Sequence, residues 1–168
     1  AKILNDTVPQ SLTQIKVQNI KVWHQSGKGH LSSVQTAYAN SGLDQDNIKV
    51  TEFIDDMAAA YQWADVVICR AGALTVSELA MAATPAIFVP LPLAVDDHQT
   101  KNAMYLVDRG AAKLLPQKDL TSTQLAQMLN SLFISDKVVE SMSKAAHDAA
   151  HADATIRVAD ICAGFYKE

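Results

Sequence analysis

The segment from Arg70 to Glu78 contains the residue types from which proteins build a phosphate site. Small residues at 71–73 would let the backbone approach a ligand, and an apolar run with helical spacing follows them. The first N–H groups of a helix have no partner inside the helix, and the helix dipole favours an anion there. Glu78, about one turn inside, could accept hydrogen bonds from both hydroxyls of a ribose. The segment therefore predicts a diphosphate and ribose site, although Glu78 could also only offset the helix dipole and Gly72 only make a turn.

A second candidate loop follows the strand predicted at Ile48–Phe53. The exposed backbone of Ile54 could hydrogen-bond the edge of a flat heterocycle. Asp55 or Asp56 would cap the next helix, and capping alone accounts for both carboxylates. A response-regulator interpretation of this acidic pair needs a separate phospho-acceptor Asp and a Lys at later strand ends, and the sequence has neither.

A third candidate loop, Pro90–Gln99, is long and contains two prolines. A long, stiff loop at the carboxyl end of a strand is more often functional than not, and His98 and Gln99 lie where the next helix begins. Asp96, Asp97 and His98 also suggest a metal site. Adjacent carboxylates point in different directions, however, and no third group of ligands is evident, so we favour a site without metal.

The stretch His24–His30 contains two glycines and a lysine and looks like a phosphate loop. A Walker A motif needs a glycine five positions before the Gly-Lys pair, and Ser or Thr after it. Val22 and Gly29 stand at those positions, so the match fails. The sequence also shows no Ser-His-Asp arrangement for nucleophilic catalysis.

Alternating strand and helix signals indicate which elements position these loops. Apolar runs predict strands at Ile20–Trp23, Ile48–Phe53, Val66–Cys69, Ala86–Val89 and Ala112–Leu115. Helical spacing predicts helices at 4–14, 31–41, 57–64, 74–83 and 100–109, and then at 121–133, 136–149 and 154–166. The order predicts an α/β fold: a Rossmann-like parallel sheet with helices on both faces and extra C-terminal helices. Such sheets bind ligands at the carboxyl ends of their strands, where the candidate loops lie.

Composition narrows the class of protein. The 168 residues, 49% hydrophobic and 19% charged, suffice for one domain with a real core. A net charge of −4 without a basic face argues against a nucleic-acid partner, and neither a signal peptide nor a membrane span is visible. Cys69 and Cys162 lie among apolar neighbours, which is typical of buried thiols in a reduced cytosolic protein. The helix at 4–14 has no strand before it, which predicts that the chain begins inside a domain.

Five segments together resemble the MurG family, the bacterial transferases that add N-acetylglucosamine from UDP-N-acetylglucosamine (UDP-GlcNAc) to lipid I in peptidoglycan synthesis. They are WHQSGKG (23–29), VTEFIDDMAAAYQWADVV (50–67), CRAGALTVSELA (69–80), PAIFVP (85–90) and DDHQTKNA (96–103). Their order and spacing match the family, and the similarity covers essentially the whole chain. The resemblance implies the C-terminal, donor-binding domain of an inverting glycosyltransferase of the GT-B type.

The resemblance also implies roles for individual residues. The backbone of Ile54 would bind uracil, Glu78 the ribose hydroxyls, and Gln99 the sugar, with His98 beside it. The diphosphate and ribose would lie against the segment formed by Ala73, Leu74, Thr75, Val76, Ser77 and Glu78. No metal or cofactor is implied, and the catalytic base would lie outside this chain.

Parts of the family pattern are absent from residues 1–168. The Gly-Ser-rich phosphate loop with its strand, and the N-terminal acceptor domain, would both precede Ala1. The chain is therefore expected to bind UDP-GlcNAc without transferring the sugar. The missing domain would contact lipid I and the cytoplasmic face of the bacterial inner membrane. The alternative is a stand-alone nucleotide-sugar-binding module that serves a separate membrane partner.

Overall fold

The structure, a computed structural model, describes residues 1–92 and 97–150. Its helices are α1 (Lys2–Leu12), α2 (Leu31–Ala39), α3 (Met57–Trp63), α4 (Ala73–Met81), α5 (His98–Val107), α6 (Ser122–Leu132) and α7 (Asp136–Ala149). Its strands are β1 (Val22–Gln25), β2 (Ile48–Thr51), β3 (Val67–Cys69), β4 (Ala86–Phe88) and β5 (Ala112–Leu114). Turns of 3₁₀ helix lie at Gln45–Asn47 and Gln117–Asp119. The helix predicted at 154–166 lies outside the described residues.

The strands form two parallel sheets. In one, β1 pairs with β2, and Val22 lies opposite Ile48. In the other, β4 lies between β3 and β5, and Ile87 lies opposite both Ile68 and Lys113. A helix connects the members of each pair, because parallel strands require a crossover. The predicted α/β architecture is confirmed.

Helices cover both faces of the β3-β4-β5 sheet. Ile87 and Val89 pack with apolar residues of α1, α2 and α6, whereas Ala86 and Phe88 pack with those of α4, α5 and α7. All four of these side chains are fully buried. A strand that is covered on both faces is apolar at every position rather than at alternate ones. Within the described ranges, no helix is long and apolar enough to cross a membrane.

Strand β1 begins two residues later than predicted and includes the polar residue His24. The buried His24 ring lies between Tyr38, whose hydroxyl is 2.9 Å from Nδ1, and Asn5, whose Oδ1 is 3.0 Å from Nε2. The Asn5 amide nitrogen donates to the Ser26 carbonyl, so Asn5 Oδ1 accepts and Nε2 carries the proton. Burial, followed by the positive charge of the Ala1 amino group, lowers the pKa of His24 from 6.5 to about 4. Local sequence indicated a loop because it does not show these distant partners.

A cavity of about 360 Å³ lies between the two sheets. Residues of β1 and β3 line it, together with residues of α1 and α3, and Ala1 is among them. Within the part of the chain that the structure describes, β1 pairs only with β2 and β3 only with β4. Trp23, on β1, also lines the cavity, and its buried Nε1 has no hydrogen-bond partner among the described residues. Backbone edges of two strands therefore border the gap.

Candidate functional site

The loops that follow β3 and β4 meet at the carboxyl ends of their strands. The Arg70 guanidinium donates from Nη1 to the carbonyls of Val89 and Pro90, at 2.9 and 3.0 Å. From α5, the Asn102 amide nitrogen donates to the Ala71 carbonyl at 3.1 Å. The structure therefore brings together two of the loops that the sequence predicts to form a site. Arg70 and Asn102 were not predicted to contribute, because nothing in their local pattern indicates these partners.

Helix α4 begins without a side-chain cap. Its N-cap residue is Gly72, with φ −64° and ψ 146°, and the Val76 N–H donates to the Gly72 carbonyl at 3.0 Å. The N–H groups of Ala73, Leu74 and Thr75 precede this first helical bond, so they have no partner inside the helix. Because the dipole of a helix favours negative charge at its N-terminus, this end of α4 can accept an anion.

Two of the predicted contact residues on α4 are already engaged within the protein. The Val76 side chain is 4% exposed and packs in the core with α5 and α7. Ser77 is exposed, and its hydroxyl donates to the Ala73 carbonyl at 3.1 Å. Thr75 is half-buried, whereas the side chains of Ala73 and Leu74 are exposed. The N–H groups at 73–75 are therefore better suited to a ligand than the groups of Val76 and Ser77.

Glu78 is held by a residue that was not predicted. The Tyr61 hydroxyl donates to Glu78 Oε2 at 3.2 Å. Burial, followed by the negative charge of Glu78, raises the pKa of Tyr61, so the hydroxyl remains a donor. A carboxylate has about four lone-pair sites, so Glu78 can accept further hydrogen bonds while Tyr61 orients it. In the sequence, Tyr61 has the spacing of an ordinary core aromatic residue on α3.

The backbone of Ile54 lies beside the cavity, and its N–H donates to Gln25 Oε1 at 2.9 Å. A heterocycle that uses this N–H must therefore displace the side-chain amide of Gln25. The neighbouring Phe53 was predicted to end a strand, but β2 stops earlier and the Phe53 side chain is 59% exposed. Asp56 caps α3 by accepting from the Ala59 N–H at 2.9 Å, so its predicted capping role is confirmed.

Helix α5 begins at His98, two residues earlier than predicted, and therefore includes Gln99. The Asp97 side chain caps it by accepting from the Thr100 N–H at 3.3 Å. Gln99 Oε1 accepts from the Leu91 N–H at 2.9 Å, which joins the two ends of the loop after β4. Asp96, the third member of the metal triplet considered above, lies outside the described residues. Among residues 1–92 and 97–150, no group of three His, Cys, Asp or Glu side chains could hold a metal ion.

In the glycine-containing segment after β1, the N–H groups of both glycines are occupied. The N–H groups of Ser26 and Gly27 donate to the carbonyls of Thr51 and Glu52, at 2.8 and 3.0 Å. The Gly29 N–H donates to a Glu52 carboxylate oxygen at 2.7 Å. This segment is therefore tied to the β2–α3 loop, which agrees with its failure to match a Walker A motif.

The sequence is similar to a family of known glycosyltransferases. A profile of the glycosyltransferase family 28 C-terminal domain matches residues 1–158. The UDP-N-acetylglucosamine–N-acetylmuramyl-(pentapeptide) pyrophosphoryl-undecaprenol N-acetylglucosamine transferase of Colwellia psychrerythraea is 53% identical over 164 residues, and that of Shewanella denitrificans 52%. The two alignments cover 96% and 97% of this chain but 42% and 44% of those proteins. The chain thus spans less than half the length of these relatives.

Solved structures give the same result. The crystal structure of Acinetobacter baumannii MurG matches with a TM-score of 0.86 and 43% identity, over 96% of this chain and 46% of that one. A calicheamicin glycosyltransferase matches with a TM-score of 0.66 at 14% identity, over 98% of this chain and 39% of that one, a likeness of fold alone. Both the sequence and the backbone therefore match one part of longer glycosyltransferases.

Proposed function

Because this chain belongs to glycosyltransferase family 28, as its C-terminal domain, we propose that it binds UDP-GlcNAc as the donor-binding half of a MurG-type enzyme. The observation that carries the proposal is the uncapped N-terminus of α4, with Glu78 further along the same helix. Its N–H groups suit a diphosphate and the Glu78 carboxylate suits the two hydroxyls of a ribose. In this proposal Ile54, between β2 and α3, would contact uracil, and His98 and Gln99, in the first turn of α5, would contact the sugar.

In the proposed reaction, the 4-hydroxyl of the muramoyl sugar of lipid I attacks the anomeric carbon of UDP-GlcNAc. A new C–O bond forms as the bond between that carbon and the diphosphate breaks, with inversion, and UDP leaves with the electron pair. The N–H groups of Ala73, Leu74 and Thr75 would stabilise the negative charge that develops on the diphosphate. The hydroxyl proton would pass to a base outside this chain.

The acceptor side of this reaction belongs to the same proposal. The relatives are longer than this chain by more than its own length, which leaves room for a separate acceptor domain. We assign lipid I and the cytoplasmic face of the inner membrane to that domain, and UDP-GlcNAc to this chain. The alternative, a stand-alone module with a separate membrane partner, is not favoured, because relatives about 50% identical to this chain are longer single chains. An upstream acceptor domain in the same reading frame would exclude that module, and its absence would favour it.

The gap between β1 and β3 supports the proposal that the donor domain has a further strand and a Gly-rich loop. A parallel strand in this position would pair with both free edges and join the two sheets into one. Its carboxyl end would lie beside the N-terminus of α4, where a glycine loop adds N–H donors for the diphosphate. Adding this segment upstream of Ala1 is expected to tighten UDP binding without producing transfer, which radiolabelled GlcNAc and a lipid I analogue would measure. Unchanged affinity would contradict this part of the proposal.

Isothermal calorimetry with UDP, UDP-GlcNAc and ADP tests the donor assignment directly. We expect both uridine ligands to bind more tightly than ADP and to raise the melting temperature, because they bind the native state preferentially. Equal affinity for ADP and UDP would contradict the assignment of uracil to Ile54. The absence of binding by all three would contradict the donor site itself.

A further inference from the structure

We propose that Arg70 is a positioning residue that holds Gln99 in place for the sugar of the donor. This inference rests on the proposed function, because it takes Gln99 as the sugar-binding residue. Arg70 directly follows β3, and its guanidinium donates to two carbonyls after β4 and to a side-chain amide after β5. Its effect on a donor is therefore carried through the loop after β4.

The Arg70 guanidinium connects the segments that follow three neighbouring strands. Nη1 donates to the carbonyls of Val89 and Pro90, directly after β4, at 2.9 and 3.0 Å. Nη2 donates to Gln117 Oε1, in the 3₁₀ turn after β5, at 2.7 Å. A planar fork of donors can satisfy these three acceptors together, which a single ammonium group cannot do in the same geometry. The start of the loop after β4 is thus fixed in relation to β3 and β5.

One further hydrogen bond links this part of the loop to Gln99. Leu91 follows Pro90, and its N–H donates to Gln99 Oε1 at 2.9 Å. Because an N–H group can donate only to the amide oxygen, this bond also fixes which end of the Gln99 amide is which. Within residues 1–92 and 97–150, Gln99 Nε2 has no hydrogen-bond partner, so its two N–H donors are available to oxygens of a sugar. Pro90 and Pro92 flank Leu91 and restrict the backbone, so a displacement of Pro90 is passed on to Leu91.

The acceptors of Arg70 are two carbonyls and an amide, all of them neutral. Burial lowers the pKa of Arg70, although a guanidinium stays charged in proteins. Because these acceptors carry no charge, the contacts of Arg70 are hydrogen bonds without an ion pair. Its role is therefore to fix the relative positions of the segments it joins.

Arg70→Met and Arg70→Lys test the inference in calorimetric titrations with UDP and UDP-GlcNAc. We expect Arg70→Met to weaken UDP-GlcNAc binding about three- to tenfold, the range for one well-placed hydrogen bond, and to leave UDP binding within about twofold. Arg70→Lys should recover only part of the loss. Arg109→Met is the matched control, because Arg109 also donates to a carbonyl, that of Tyr105, at 2.7 Å, but at the other end of α5. Equal losses for UDP and UDP-GlcNAc, or no loss, would overturn the sugar-positioning role.

Amide hydrogen exchange gives a second readout that needs no ligand. In Arg70→Met, the Leu91 amide should exchange at least about tenfold faster, while the Val89 amide, bonded to the Cys69 carbonyl at 2.9 Å, should keep its protection. An unchanged exchange rate at Leu91 would overturn the link from Arg70 to Gln99, whether or not the affinity for UDP-GlcNAc changes. If the unchanged chain binds neither uridine ligand, the proposed function fails and so does the sugar-directed role, while the exchange result still decides whether Arg70 holds Leu91.

Discussion

Two of the connections that run from the carboxyl end of a strand to the start of a helix contain glycine. In the β1–α2 connection (residues 26–30), the N–H groups of Gly27 and Gly29 are bonded to Glu52, through its carbonyl and its carboxylate. In the β3–α4 connection (residues 70–72), Arg70 donates to the loop after β4 and the Ala71 carbonyl accepts from Asn102 of α5. The first N–H groups of α4 stay outside its hydrogen-bond ladder. The N–H groups of both glycines in the more glycine-rich connection are therefore occupied, although α2, like α4, begins without a side-chain cap.

The glycines serve different purposes in the two connections. Gly27 and Gly29 have φ values of 81° and 76°, which favour glycine, whereas Gly72 has φ −64°, which any residue adopts. A Cβ on Gly72 would lie 3.7 Å from Thr75 Oγ1, an ordinary contact. What Gly72 lacks is a side chain that would cap α4 and compete with a ligand for its N–H groups. Anion binding thus depends on which N–H groups the protein leaves unoccupied, more than on the number of glycines.

The largest expected effect is on the β3–α4 side, at Glu78. Glu78→Ala removes hydrogen bonds to a charged group, worth about 1.5–3 kcal/mol, so UDP affinity should fall by about tenfold or more. Calorimetry measures the loss, and Glu140→Ala, an exposed carboxylate on α7, is the matched control. A 2′,3′-dideoxy analogue of UDP should lose little further affinity in Glu78→Ala. If the variant is less stable but binds UDP normally when folded, Glu78 only offsets the helix dipole.

The next largest effect concerns His24, the buried β1 residue whose ring is bonded to Asn5 and Tyr38. Its pKa in the folded chain, about 4, is below the unfolded value of about 6.5, so the unfolded chain binds the proton first as pH falls. The stability conferred by neutral His24 is fully present above pH 6.5 and is lost as pH falls towards 4. We expect a loss of about 2 kcal/mol between pH 7.5 and pH 5. Urea unfolding at the two pH values measures this loss, and the free energy of unfolding of His24→Gln should fall by about 2 kcal/mol less over the same range. The same pH dependence in both proteins would contradict the prediction.

Substituting alanine for glycine should affect stability differently in the two connections. Gly29→Ala forces a left-handed backbone on alanine and should destabilise the fold by about 1 kcal/mol. Gly72→Ala should not destabilise it, because its φ is compatible with alanine. Thermal and urea unfolding of the two variants measure the difference. A clear destabilisation by Gly72→Ala would show that Gly72 is required for the turn.

The smallest expected effect is that of Glu52→Ala on donor affinity. The variant removes the carboxylate that accepts from the Gly29 N–H, which should lower stability by about 0.5–1 kcal/mol. UDP affinity should change by less than about twofold, because the freed N–H lies in the other connection. Calorimetric titration with UDP compares the affinity of Glu52→Ala with that of Glu78→Ala. A tenfold change in UDP affinity would mean that the β1–α2 connection takes part in binding the donor.

Local sequence was sufficient for most of the secondary structure. The alternation of strand and helix and the cap at Asp56 were predicted correctly, because both depend on neighbouring residues. One boundary was wrong because a polar residue has distant partners. His24 belongs to β1 because Asn5 and Tyr38 satisfy its ring, and no local pattern indicates that.

The sequence by itself determined the order of the helices and strands, the loops that follow the carboxyl ends of the strands, and the family to which the chain belongs. Only the tertiary structure decided which polar groups in those loops are occupied. Glu52 accepts from the N–H groups of Gly27 and Gly29. Tyr61 orients Glu78, and Arg70 donates to the segments after β4 and β5. The physical reason is that a hydrogen-bond partner is chosen by distance and direction in space. Loops far apart in the chain meet at one edge of a parallel sheet, so their pairing is fixed only once the sheet has formed.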